Sequence, residues 1–146
     1  MLYQKEKLLS IDGRWEEVIP LEERVIEIMV KKNPKDLWIN EKRARLADMM
    51  YCLNQNQSII KVLRDMYNSG ADPERYYFTI LQFYYIYRTS NDSQIKAFFD
   101  RFKNDKKLSG LHEQYGLDKP NREEIAQEAV NTRQRVCKRL MKWVER

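Results

Sequence analysis

Apolar residues recur along this chain at spacings of three and four, in blocks separated by short polar stretches. That is the period of helices that each bury one face. Leu21, Val25, Ile28 and Met29 form the first such stripe, in a helix predicted to open at Pro20 with Glu22 and Glu23 in its first turn and to stop at Asn33-Pro34. A second helix is predicted from Asp36 to Leu53, with Ile39, Leu46, Met50 and Leu53 on its apolar face, ended by the polar run Asn54–Gln57. Ser58 opens a third, carrying Ile59, Ile60, Val62, Leu63 and Met66 and closing at Asn68-Ser69-Gly70. Asp72-Pro73-Glu74 is a start signal in three parts: a capping carboxylate, a proline at the first helical position and an acid at the positive end of the dipole. The helix it opens, Arg75 to Arg88, is apolar nearly all round, with seven aromatics from Tyr76 to Tyr87. A helix without a polar face belongs in a core. A strand is the competing reading of so many aromatics, but the cap is helical and the run exceeds the usual ~5–6 residues of a strand.

Asn91-Asp92-Ser93 caps a further helix with Ile95, Phe98, Phe99 and Phe102 inward, and a short segment Leu111–Tyr115 follows. Asn121 caps the last helix, predicted from Arg122 toward the C-terminus. The first twenty residues are ambiguous between a small helix and a hairpin about Ile11–Arg14. The expectation is an all-α, compact multi-helix chain, residues 1–146 forming a single domain.

Composition narrows this further. The 146 residues hold only four Gly and four Pro, too few for the turns of an all-β fold. No apolar run approaches the ~20 residues that span a bilayer, so no membrane partner is expected. The first residues, MLYQKEKLLSIDGRWEE, are too charged for a signal peptide, which points to a cytoplasmic protein. Cys52 and Cys137 are far apart on different predicted helices, and in a reducing compartment two packed thiols are favoured over a disulfide.

Charge is distributed unevenly. Residues 131–146 hold Arg133, Arg135, Lys138, Arg139, Lys142 and Arg146 against Glu145, which accounts for the whole net charge of +5. On a helix, Arg135, Arg139, Lys142 and Arg146 share one face, and Ala129, Val136, Leu140 and Trp143 another. Val130, Cys137, Met141 and Val144 widen the apolar stripe. The segment 121–146 is therefore a basic amphipathic helix. Its cations suit a solvated helix C-terminus, bound phosphates, or an acidic protein partner or membrane surface; Arg135, Lys138, Arg139 and Lys142 are the phosphate-facing candidates.

Residues 42–88 make three consecutive short helices with tight joins, the requirement of a helix-turn-helix. The segment KRARLADMMYCLNQNQSIIKVLRDMYNSGADPERYYFTILQFYYIY resembles the DNA-binding region of some phage small terminase subunits, through Arg43, Arg45, Leu46, Ser58, Val62, Leu63, Tyr67, Tyr76 and Tyr77. YGLDKP, from Tyr115 to Pro120, is similar to a motif that follows in such proteins, so the likeness runs over residues 42–120, about half the chain. It implies DNA recognition in genome packaging, an oligomeric ring and no catalysis by this subunit. Arg43, Arg45, Lys61, Arg64 and Arg75 would face DNA, with Arg75–Arg88 as the recognition helix offering Arg75, Thr79, Gln82 and Arg88. That helix is so aromatic that core or subunit interface explains it more easily than groove reading; exposed tyrosines would suit a single-strand binder instead.

No P-loop, GxSxG or HExxH occurs, and one His with two separated Cys assembles no zinc set, so neither catalysis nor a cofactor is expected. His112-Glu113 are neighbours that point apart on a helix. The acidic pairs Glu16-Glu17, Glu22-Glu23 and Glu123-Glu124 are read as first-turn residues. Two functions remain open: a DNA-binding helical protein, or a small helical adapter or inhibitor that contacts a protein through Tyr77, Tyr84, Tyr85 and Trp143.

Overall fold

The computed structural model describes residues 15–83, 91–93, 97, 100, 105–106, 110, 113–114 and 121–144. Among them lie five helices and no strand: α1 (Trp15–Lys32), α2 (Trp38–Cys52), α3 (Asn56–Asn68), α4 (Pro73–Gln82) and α5 (Arg122–Val144). The all-α expectation holds. None of these helices is long and apolar enough to cross a membrane. The chain divides into two compact units, Met1–Ser69 with Gln134–Arg146, and Gly70–Arg133, so the division falls inside α5.

In the first unit α1 and α3 both pack on α2. The core takes Val18, Ile19 and Ile26 from α1, Ile39, Ala44, Leu46, Ala47, Met49 and Met50 from α2, and Ile59, Val62, Leu63 and Met66 from α3. The stripe predicted for α2 is therefore inward, except that Leu53 is the C-cap and only half-buried. α1 differs from expectation. It begins at Trp15, with Glu16 and Glu17 in its first turn, and runs through Pro20. Burial of Val18 and Ile19 holds the upstream turn in place although the proline contributes no N–H to it.

Moving the helix start also moves Glu22. It is not a first-turn acid on the surface but a fully buried side chain. Lys42 Nζ lies 3.5 Å from its Oε1, and neither carboxylate oxygen has a hydrogen-bond partner among the described residues. An ion so placed depends on its countercharge, because removing one member of a buried pair strands the other in a poor solvent.

The same unit contains a covalent link that spacing did not favour. Cys52 and Cys137 form a disulfide with Cα atoms 5.3 Å apart, across 85 positions of sequence. The expectation of two reduced thiols is corrected: packing brings together residues that nothing local in the sequence connects. The bond fastens the basic stretch of α5 to the last residue of α2.

In the second unit, Asp72 caps α4 as predicted, its Oδ1 accepting from the N–H of Glu74 (2.9 Å) and of Arg75 (3.3 Å), with Pro73 at the first position. Tyr76, Tyr77, Thr79, Ile80, Leu81 and Phe83 are buried, as an apolar helix should be. Its predicted continuation to Arg88, and the expected elements between Asn91 and Pro120 with His112, fall largely or wholly outside the described residues. From α5, Ala126, Val130 and Arg133 are buried, and the Arg133 guanidinium lies over the Phe83 ring at 4.9 Å from its centroid. The predicted stripe of α5 is thus rotated: Ala126, Val130 and Arg133 are inward, followed in register by Cys137, whereas Val136 is 41% exposed.

The disulfide closes a loop long enough that the chain-entropy model assigns it roughly 4–5 kcal/mol. Reduction, or Cys52→Ser with Cys137→Ser, is expected to lower the unfolding free energy by about 2–5 kcal/mol, read as a shift of the urea midpoint with and without reductant. An unchanged midpoint would mean that the link carries no stability.

Candidate nucleic-acid interface

Three residues, Leu53 to Gln55, separate α2 from α3. Gln55 N–H donates to Met50 O at 2.8 Å and Asn54 N–H to Tyr51 O at 3.1 Å. This pair of bonds, one reaching back five residues and one nested inside it over three, is the Schellman arrangement. It requires a left-handed residue just past the cap, and Asn54 supplies it with φ of 58°. Asparagine is the side chain after glycine that tolerates this region best. The last carbonyls of α2 are thereby satisfied, and the chain reverses in minimal length.

α3 begins at Asn56, two residues before the predicted Ser58. Ile59, Val62, Leu63 and Met66 hold it against the core. Gln57, Lys61, Arg64 and Asn68 then share the opposite, exposed face at spacings of four, three and four, with Ser58 exposed at its edge. These residue types are the ones that read base edges and hold phosphates: amides pair with adenine, and Lys and Arg with guanine or phosphate oxygens. The helix N-terminus adds a partial positive charge at the same end as Gln57.

α2 contributes less than the sequence suggested. Arg45 is exposed. Arg43 is turned inward to a bonded cluster: one of its terminal nitrogens donates to Asn40 Oδ1 and to Ser69 Oγ, each at 3.0 Å. Ser69 Oγ is in turn 3.0 Å from Met66 O and 3.2 Å from Asn40 Oδ1, either of which takes its proton. Burial lowers the Arg43 pKa, and the negative charge of Asp65 partly restores it. Arg43 is a strut tying the start of α2 to the end of α3, not a free cation.

A cleft of about 570 Å³ opens between α1, α2 and α3. Ile26, Val30, Leu46, Met50 and Val62 line it, together with Glu23, Glu27 and Lys31 of α1 and Ser58, Lys61 and Asp65 of α3.

Of the remaining candidate residues, Arg135, Lys138 and Arg139 are exposed on α5. Lys142 and Trp143 belong to α5, but their side chains lie outside the described residues, as do Tyr84 and Tyr85 altogether. Arg75, on the first turn of α4, is partly buried. Arg133, counted with the basic cluster, is buried, and loss of water pushes its pKa down to about 10, leaving it charged at neutral pH. Tyr77 is 1% exposed, so it is core and no interface residue. Burial of Tyr76, Tyr77, Thr79, Ile80 and Leu81 also removes α4 as a groove reader over its described length, since a recognition helix must present its side chains to solvent. Sequence reasoning passed over Gln57, Asn68 and the turn residue Asn54. The first two were legible as partners of Lys61 and Arg64 at helical spacing; the third was read only as part of a polar break. No protein-family model, curated protein or solved structure matches this chain.

The positive φ at Asn54 yields a sign test. Asn54→Gly is expected to leave stability unchanged or raise it by a few tenths of a kcal/mol, whereas Asn54→Val is expected to cost about 1–2 kcal/mol. Urea unfolding measures both. Equal effects would show that the turn does not hold the left-handed residue.

Proposed function

We propose that this protein binds duplex DNA, with α2-turn-α3 as a helix-turn-helix and α3, rather than α4, as the helix that enters the major groove. The observation that carries the reading is the exposed face Gln57-Lys61-Arg64-Asn68, presented on a helix whose other side is anchored in the core and whose entry is fixed by a three-residue turn. Arg45 on α2 is exposed and, in this reading, meets the flanking phosphate backbone, the part that the first helix of such a pair plays. Arg135, Lys138 and Arg139 add phosphate affinity without sequence information. The resemblance to small terminase subunits extends the proposal to genome packaging and to an oligomeric ring, for which the mass in solution is the direct observable.

Binding to a short mixed-sequence duplex, followed by fluorescence anisotropy between roughly 50 and 200 mM salt, tests it. The wild type is expected to bind at the lower salt and to weaken steeply as salt rises. Lys61→Ala with Arg64→Ala is expected to reduce affinity at least about tenfold and to flatten the salt slope by about two. Absence of binding at the lower salt, or a double variant indistinguishable from wild type, would overturn the assignment.

A further inference from the structure

Leu37, the N-cap of α2, and Trp38, its first residue, are 88% and 69% exposed. Large apolar side chains so placed keep most of their water on folding, so burial in this fold does not account for them. They are held still rather than left loose. Asn33 N–H donates to Met29 O at 2.9 Å and Asp36 N–H to Asn33 O at 3.0 Å. Lys35 N–H donates to Asn33 Oδ1 at 3.1 Å and Trp38 N–H to Asp36 Oδ1 at 2.9 Å. Pro34 stiffens the turn, and the next residue, Ile39, is buried. The result is a rigid tip with two apolar side chains pointing away from the core.

Three exposed lysines precede it within seven residues of sequence: Lys31 and Lys32 in the last turn of α1, and Lys35 in the turn itself. The acids nearest in sequence are Glu27, ion-paired with Arg24 at 2.9 Å, Asp36, whose Oδ1 is engaged at the start of α2, and Glu41. We propose that this tip docks on an anionic lipid surface. Trp38 and Leu37 would enter the headgroup region, where tryptophan is favoured, while the lysines meet the negative charge of the lipids. The two signals add, because binding at a membrane interface grows with both the apolar area inserted and the attraction to anionic lipids. Two side chains fall well short of the ~800 Å² per partner that a stable protein interface covers, which favours a lipid surface over a protein. Nothing in the proposal depends on DNA binding by α3.

Co-sedimentation of the intact chain with vesicles of phosphatidylcholine containing roughly 30% phosphatidylserine, against pure phosphatidylcholine, tests it. Binding is expected to the anionic vesicles and to fall as salt rises. Leu37→Ala with Trp38→Ala is expected to lower the partition about tenfold, and Lys31, Lys32 and Lys35 to Gln to lower it comparably. Because all five side chains are exposed, the variants should keep the wild-type thermal transition, and Lys61→Ala with Arg64→Ala should bind vesicles as wild type does. No sedimentation with anionic vesicles, equal binding to neutral ones, or an unaffected Leu37/Trp38 variant would overturn the proposal. So would a Leu37/Trp38 variant that changes only the mass of the chain in solution, which would make the tip a contact between copies, or only its affinity for duplex DNA.

Discussion

The left-handed conformation of Asn54 is the constraint on which the rest of the proposed interface depends. It lets α2 finish with its carbonyls bonded and lets α3 begin three residues later. The buried line of α3, Ile59, Val62, Leu63 and Met66, then holds that helix in a fixed relation to α2. Arg43 secures the other end of the same pair of helices, bonding Asn40 near the start of α2 to Ser69 just past α3. The two helices are thus fixed at both ends by polar groups and along their length by apolar ones.

Formal charge and presented charge part company in this molecule. The excess of six basic residues over one acid in the last sixteen positions suggests a C-terminal basic surface, yet Arg133 is buried against Phe83. Arg43 serves the α2–α3 strut, and Lys42 compensates the buried Glu22. What remains exposed among the described candidates is Arg45, Lys61 and Arg64 in the helix pair and Arg135, Lys138 and Arg139 on α5. Cys52–Cys137 fastens that second group to the end of α2, so the disulfide connects both groups through one covalent link.

Local features were legible in the sequence, and non-local ones were not. Asp72-Pro73-Glu74 located the start of α4 because a cap is a contact between residues two and three apart. The inward faces of α2 and α3 followed from their period. The start of α1 was missed because proline is favoured at a first position, and only the burial of Val18 and Ile19 reveals that helix upstream of Pro20. The disulfide joins residues with nothing between them in sequence to suggest it. Tyr76 and Tyr77 declared a buried helix, but the outward face of α3 is defined by what covers the rest of it, and that is tertiary information. Leu37 and Trp38 lie within the predicted helix from Asp36 but off its apolar stripe, and their exposure emerges only from the fold.

The central claim is that α3 presents its polar face to DNA, and amide chemical-shift mapping of the chain during titration with a short duplex addresses it residue by residue. The account predicts that the largest changes fall on residues 56–68 and the turn at Asn54, with smaller ones around Arg45 and none at the buried Tyr76 and Tyr77. Changes confined to α5, or to α4 with α3 silent, would contradict it.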